Sequence, residues 1–332
     1  AFERIRRTGD HWTAEVRDQA SGAVATIKAR VIVNAAGAWV DKVLGQVAGF
    51  NNVHNIRLVQ GSHIVVPRLF DHGRSYFFQN TDGRILFAIP YENDFTLIGT
   101  TDWDYHGAPD EVSITADETR YICAAASAYL KTPVREEDVV WAYSAVRPLL
   151  DDGASKAQEA TRDYVLKVDG AGDQARLINI FGGKITTYRR LAEAVLDRVD
   201  DALGRTTQAW SGAAALPGGD FAIDGYAGQV VALAAAYPFL DDQTCQRLVR
   251  SYGTRASEVL GEAQLWADLG EDFGAGLTAR EVRYLQAAEW AQTVDDILWR
   301  RSKFGLRFDG AARARLGEWL AAHPVAGADA AD

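Results

Sequence analysis

Leu177 to Arg190 reads LINIFGGKITTYRR: an apolar run, two glycines, a lysine, an isoleucine and two threonines, then a helical pattern. A strand that ends in Gly182-Gly183 and turns straight into a helix lets backbone N–H groups approach a ligand, because no Cβ stands in the way. The start of a helix also carries roughly half a positive charge and free N–H donors. Ile185, Thr186 and Thr187 therefore sit where an anionic group could be held, the bland alternative being an ordinary strand-to-helix corner. Behind them Tyr188, Leu191, Ala192, Val195, Leu196 and Val199 fall on one face of a 3.6-residue period. A second run ends in small residues, Asn34-Ala35-Ala36-Gly37, which allows either close backbone approach or a packing corner. Gly170-Ala171-Gly172-Asp173-Gln174-Ala175 fits G-x-G-x-x-A but lies between two strand patterns, so it reads as a hairpin loop. Nowhere does a strand run through G-x-G-x-x-G into a helix. The pattern is the back of a dinucleotide-type site without its front.

Other chemistry-bearing side chains are scattered. Arg147 follows an apolar strand pattern and precedes Pro148, a costly place for a guanidinium unless something pairs with it. Arg162 has Asp163 and Asp151 as candidate ion-pair partners. Lys184 stands between Gly183 and the helix. His63, in Gly61-Ser62-His63-Ile64-Val65-Val66, has apolar neighbours, a setting more often filled by a core histidine than by a catalyst.

The elements that must position these groups follow from periodicity and turn chemistry. Trp12–Arg17 and 25–33 read as two strands joined by the turn-rich Asp18-Gln19-Ala20-Ser21-Gly22. From Ile56 to Thr101 the pattern is β throughout, and its short polar turns favour an antiparallel sheet. Thr115 and Glu118 form a capping box ahead of a helix with Ile122, Ala126 and Tyr129 on one face. Strands are expected at 139–149 and 164–168. After Leu216-Pro217-Gly218-Gly219 the pattern becomes helical, with about five helices, two of them opened by T-x-x-E/D boxes at Thr278 and Thr293. The Ala- and Asp-rich end, 326–332, reads as a frayed tail.

Composition excludes several classes. The 332 residues, 48% hydrophobic and 24% charged, can bury a large core and suggest two or three domains. A net charge of −10 argues against nucleic-acid binding, which needs a basic stripe. The longest apolar run, Val230 to Leu240, contains Pro238 and falls far short of the roughly 20 residues that span a bilayer. Two cysteines, Cys123 and Cys245, make no disulfide framework, and six scattered histidines offer no zinc spacing. A reducing compartment is the default. Met is absent, and the chain opens on Ala1-Phe2-Glu3 in what already reads as strand.

Nine segments, VIVNAAGAW, RLVQGSHIVVP, FTLIGTTD, WAYSAVRPLLDD, ATRDY, FGGKITTYRRLAE, YPFL, DLGEDFG and ILWRRSKFG, resemble in order and spacing the FAD-dependent, quinone-linked glycerol-3-phosphate dehydrogenases. The resemblance runs from residue 12 to about 322. It implies an α/β (α+β) fold: a partial FAD-binding Rossmann-like domain at 1–45 and 174–204, an antiparallel-sheet substrate domain at 55–170, a C-terminal all-α domain at 216–322 and a flexible tail at 323–332. The family's N-terminal segment, with its phosphate-binding glycines, has no counterpart here. The expectation is therefore a fragment, inactive alone and unable to hold FAD stably by itself.

The resemblance also assigns roles. Ala36, Gly37, Gly182, Gly183, Lys184, Ile185, Thr186 and Thr187 would contact FAD; Ala36 stands where the family commonly has Thr, so a hydroxyl contact is lost there. The implied reaction is oxidation of sn-glycerol 3-phosphate to dihydroxyacetone phosphate. Arg147, Arg162 and Lys184, with Thr186, would bind the substrate, and His63 would take or hold the proton of its hydroxyl, with Arg147 and Lys184 completing the catalytic set. Gln60 departs from the family's usual Lys. The implied partners are sn-glycerol 3-phosphate, a quinone, a membrane surface and, as an open matter, a second copy of the chain. The implied location is cytoplasmic, peripheral on the inner face of the membrane. Trp299, Phe304, Leu306 and Phe308, interleaved with Arg300, Arg301, Lys303, Arg307, Arg313 and Arg315, are a candidate membrane contact; the alternative packs the aromatics in the helical domain. An oxidase using O2 and a non-enzymatic assembly module are the competing functions.

Overall fold

The computed structural model describes residues 1–19, 21–45, 54–151 and 163–324. It divides into two compact units, Ala1–Gly212 and Ala213–Asp332. Arg162 and most of the expected tail lie outside the described residues.

In the first unit, β1 (Phe2–Thr8), β2 (His11–Arg17) and β3 (Val24–Ala29) form an antiparallel meander. The run at 25–33 is not one strand. It breaks at Arg30, and its second half, β4 (Val31–Asn34), leaves the meander for another sheet. There it pairs in parallel with a strand from far along the chain, which local periodicity does not encode. α1 (Val40–Gly45) follows β4 and buries Val40 and Leu44.

The substrate-type sheet is antiparallel, as its short turns dictate. Its strands are β5 (Ile56–Pro67), β6 (Tyr76–Gln79), β7 (Ile85–Tyr91), β8 (Phe95–Gly99), the short β9 (Trp103–Asp104) and β10 (Trp141–Leu150), in the order β10-β5-β8-β7-β6 with β9 also on β5. α2 (Ala116–Ser127) covers one face. Its capping box is complete: Thr115 Oγ1 accepts from Glu118 N at 3.1 Å, and Glu118 Oε2 accepts from Thr115 N at 3.0 Å. Ile122 and Ala126 are fully buried against Ile64, Leu86 and Ile98. Tyr129, placed on the same stripe, is instead largely exposed, stacked on Phe78 with its hydroxyl donating to Gln79 O at 2.7 Å.

β11 (Val165–Asp169) and β12 (Arg176–Phe181) make the hairpin around the discarded glycine match. The expected range 55–170 placed β11 with the substrate sheet, but its partner is β12, and β12 in turn pairs in parallel with β4. A six-residue loop makes the antiparallel neighbour the nearest available partner. α3 (Tyr188–Leu203) follows; β4 and β12 cover only part of its apolar stripe, leaving Tyr188 and Leu196 exposed.

The second unit holds α4 (Tyr226–Ala236), α5 (Asp242–Tyr252), α6 (Ala256–Leu260), the small hairpin β13 (Asp272–Gly274) and β14 (Leu277–Thr278), α7 (Ala279–Glu289) and α8 (Gly310–Ala322). Leu248, Phe273, Leu277, Val282, Leu285, Ile297 and Leu316 are among its buried core. The box at Thr293 is formed reciprocally with Asp296. At Thr278 no side-chain cap forms; this threonine is the buried last residue of β14, paired with Asp272 across the hairpin.

Candidate active site

Two glycine turns meet at the carboxyl ends of neighbouring parallel strands. Asn34 and Asn179 face each other across β4 and β12, and Asn34 Nδ2 donates to Asn179 Oδ1 at 3.0 Å and to Val40 O at 3.1 Å. That pair closes the β4–β12 ladder, at the last residue of β4 and two residues before the end of β12. Asn34 Oδ1 is buried with no partner. Gly37, Gly182 and Gly183 adopt φ of 53°, 69° and 102°, values that L side chains rarely take. A Cβ on Gly182 would stand 2.8 Å from Asp163 O, whereas one on Gly37 would enter open space. Ile185–Thr187 forms a tight turn running into α3, and no side chain caps either. Ile185 is 85% exposed, and Thr187 N already donates to Lys184 O at 3.0 Å.

The second half of the site lies on the face of the sheet opposite α2. Cross-strand register sets His63 against Tyr143 and Gly99, and Arg147 four pairs further along, against Val59, with Gly61 opposite Ala145 midway between them. The His63 ring stacks on Tyr143 at 4.9 Å and 5°. It also lies flat over Gly99, where any Cβ would collide with it, and the Arg147 guanidinium lies in the same way over Gly61. Arg147 Nη1 donates to Asp102 Oδ1 at 2.8 Å and to Thr101 O at 3.4 Å, and Nη2 donates to Thr100 Oγ1 at 3.0 Å. The pairing that its burial demanded is therefore made by Asp102. Gly61, Gly99, Thr100 and Asp102 escaped the sequence reading; GSH and GTTD were visible as strings, but nothing local says that a glycine on one strand seats a side chain from its neighbour.

β10 joins the two halves, because it packs beside both the turn at Gly37–Trp39 and β12, and Leu150 N lies 3.9 Å from the Cβ position of Gly182. Lys184 Nζ is half-exposed and donates to Asp163 Oδ1 at 3.4 Å, a weak pair that leaves the ammonium within reach of solvent.

Burial, aided by the nearby Arg147 charge, lowers the His63 imidazole from 6.5 to about 4, and Nδ1 is buried without a partner. A folded value below the unfolded one means that the unfolded chain binds the extra proton. The resulting stability is complete above pH 6.5 and is lost as pH falls towards 4, by roughly 3 kcal/mol in all. An NMR titration of His63 should show no protonation between pH 8 and about 5; a midpoint above pH 6 would contradict the buried neutral ring.

The basic aromatic segment is committed to packing. Trp299 lies across Gly305 and Phe304 is buried. Arg300 pairs with Asp296 at 3.0 Å and Arg313 with Asp295 at 2.9 Å, while Arg301, Lys303 and Arg315 donate to backbone carbonyls. The aromatics of the candidate membrane face thus pack in the helical unit, while Arg300 and Arg307 stay exposed. Among the described residues no helix is long and apolar enough to cross a membrane, and no His/Cys/Asp/Glu group could hold a metal ion.

Residues 1–184 match the family of FAD dependent oxidoreductases. The chain belongs to that family. Residues 210–319 of this flavin-dependent oxidoreductase match the C-terminal domain of alpha-glycerophosphate oxidase. It is 41% identical over 320 residues to a glycerol-3-phosphate dehydrogenase of Pseudomonas aeruginosa, covering 96% of this chain and 62% of the relative. It is 39% identical to the aerobic glycerol-3-phosphate dehydrogenase of Escherichia coli, over 95% of this chain and 63% of that one. It is 42% identical to the D-erythritol 1-phosphate dehydrogenase of Brucella abortus, over 95% and 62%. The solved glycerol-3-phosphate dehydrogenase from Bacillus halodurans, complexed with FAD, superposes with a TM-score of 0.75 at 25% identity, covering 97% of this chain and 67% of that one. The chain thus spans about three-fifths of the length of these curated relatives.

The cofactor of this oxidoreductase is FAD, and the residues present fit it. Open space beside Gly37, an exposed turn at Ile185–Thr187 with no side-chain cap and a turn at Gly182 that tolerates no Cβ make a backbone-lined cradle at the ends of β4 and β12. Ligands of open parallel sheets bind in this position.

Proposed function

We propose that the protein containing this chain oxidises sn-glycerol 3-phosphate to dihydroxyacetone phosphate and passes the electrons to a quinone. The observation that carries this reading is the convergence on β10: one strand holds Arg147, faces His63 across the sheet and packs against both glycine turns. FAD held there would supply the acceptor for a hydride from C2 and the store from which electrons pass on. The chain's own residues do the rest. Ala36, Gly37 and the Gly182–Thr187 turn would hold the flavin through backbone contacts, with the Ile185 and Thr186 amides set against its negative edge. Arg147 and Lys184, joined by Arg162, bind the phosphate, and Thr186 adds a hydroxyl donor to the substrate. His63, neutral at physiological pH, presents a lone pair that takes or holds the C2 hydroxyl proton as hydride departs.

A site on the cytoplasmic side, with contact to the membrane surface, suits a quinone acceptor. Two other readings have a specific basis. The Brucella relative acts, by its name, on D-erythritol 1-phosphate, a longer polyol phosphate, and its 42% identity to this chain stands beside the 41% and 39% of the glycerol-3-phosphate relatives. The oxidase name of the C-terminal match favours O2 as the acceptor. Assays of the full-length, FAD-loaded protein with both polyol phosphates, with a quinone analogue and with peroxide detection, decide among them. His63→Asn, which keeps a hydrogen-bonding group but offers no base, should cut kcat more than tenfold; wild-type kcat would remove His63 from the chemistry. Lys184→Ala should raise KM or lower kcat more than tenfold, and wild-type kinetics there would remove Lys184 from the site.

A further inference from the structure

We infer that Glu118 is a positioning residue, which sets the guanidinium of Arg147 by locking Thr101, the middle residue of the segment that holds it. The inference rests on the proposed role of Arg147 in binding the substrate phosphate.

Glu118 begins as a helix cap, and a cap needs only Thr115. The carboxylate does more. It is 3% exposed and accepts five hydrogen bonds. Oε1 takes Ser62 Oγ and Thr101 Oγ1, each at 2.7 Å; Oε2 takes Gln60 Nε2 at 2.8 Å, Thr115 N at 3.0 Å and Thr115 Oγ1 at 3.1 Å. These donors come from β5, from the chain beyond β8 and from the cap of α2. Each is a neutral hydroxyl, amide or backbone group, so the buried carboxyl group is held by directed hydrogen bonds from three elements.

Thr101 is the link. Its hydroxyl donates to Glu118 and accepts from Ser62 N at 3.0 Å, so both hydroxyl interactions are fixed and the residue, fully buried, cannot shift. Its carbonyl accepts from Arg147 Nη1, and its neighbours Thr100 and Asp102 hold the two guanidinium nitrogens. Three consecutive residues therefore grip the guanidinium, and the middle one is bolted through the sheet to Glu118. On the other side, Ser62 Oγ also bonds Ser144 Oγ at 2.7 Å, tying in β10, the strand that carries Arg147. Side chains alternate across the sheet, so the carboxylate acts from the α2 face on a group that works on the opposite one.

A purely structural role would anchor α2 and leave the site alone, so the test separates the two ends of the network. Thr101→Val removes the hydroxyl link, Glu118→Gln replaces two acceptor oxygens with one, and Thr115→Val removes the cap side chain while sparing Thr101. In the full-length, FAD-loaded protein, Thr101→Val and Glu118→Gln should raise KM for sn-glycerol 3-phosphate at least fivefold with kcat within twofold of wild type. Thr115→Val should lower Tm and leave KM unchanged. On the chain itself, NMR should show the His63 titration displaced in Thr101→Val, because the Arg147 charge beside it moves, and unchanged in Thr115→Val. If Glu118→Gln fails to fold, Thr101→Val decides. Wild-type KM and an unmoved His63 titration in a folded Thr101→Val would overturn the inference. Arg147→Ala distinguishes the two levels: wild-type KM in that variant removes the functional reading, and the inference with it, whereas a raised KM there beside an unchanged Thr101→Val removes the inference alone.

Discussion

Replacing Arg147 by alanine should raise KM for the polyol phosphate by tenfold to roughly a hundredfold, since a charge-assisted hydrogen bond of this kind contributes about 1.5 to 3 kcal/mol. The change has a second cost. Asp102, whose side chain is 13% exposed, would keep its charge with no guanidinium beside it, so stability should fall by about 1 to 3 kcal/mol in urea denaturation. Arg147→Lys retains charge without the two-nitrogen grip on Asp102 and Thr100, and should recover stability more fully than KM. Gly61→Ala tests the seat instead of the side chain. Its Cβ would occupy the place of the guanidinium, so it should reproduce the KM effect while leaving the Arg147 charge in the protein. Steady-state kinetics of these variants check all of this, and a Gly61→Ala enzyme with wild-type KM would show that the guanidinium need not lie over β5 to work.

The other large effect is expected at Gly182. A residue with a Cβ at φ 69° costs about 1 to 2 kcal/mol for the left-handed backbone alone, and here the Cβ also meets the carbonyl of Asp163 at 2.8 Å. The backbone must then move, and the Ile185–Thr187 amides move with it. In the full-length protein, Gly182→Ala should weaken FAD retention at least tenfold, read from the flavin absorbance at roughly 450 nm after gel filtration. Gly172→Ala, at a φ of 55° but with open space around it, is the control: it carries the same kind of backbone strain in the hairpin loop, and its flavin content should match the wild type. Equal losses in both variants would mean general destabilisation and would remove Gly182 from the cofactor cradle.

Much of the first unit is legible from short-range pattern. The capping box at Thr115 forms as spaced, the polar turns from Ile56 to Thr101 give an antiparallel sheet, and the glycine match at 170–175 is a hairpin loop. Each depends on residues within a few positions of one another, where backbone preference and side-chain capping act directly. Two departures from the expected pattern have different causes. The strand 25–33 splits because its second half pairs with β12, far along the chain, whereas β11 joins β12 because the two are linked by a short hairpin loop.

By itself, the sequence determined the pieces of chemistry: a glycine corner running into a helix, a histidine on a strand, an arginine that needed a partner and a glutamate at a helix start. Their ordered arrangement also carried the flavin family. Only the tertiary structure decided what those pieces do together. Parallel pairing of β4 with β12 puts Gly37 and Gly182 at one sheet edge, and the β5–β10 register puts Arg147 over Gly61 and His63 against Tyr143. The fold also turns Glu118 from a cap into the anchor of Thr101. The physical reason is that hydrogen bonding and steric contact are set by distance in space, and cross-strand register brings together residues whose separation in the chain carries no periodic signal.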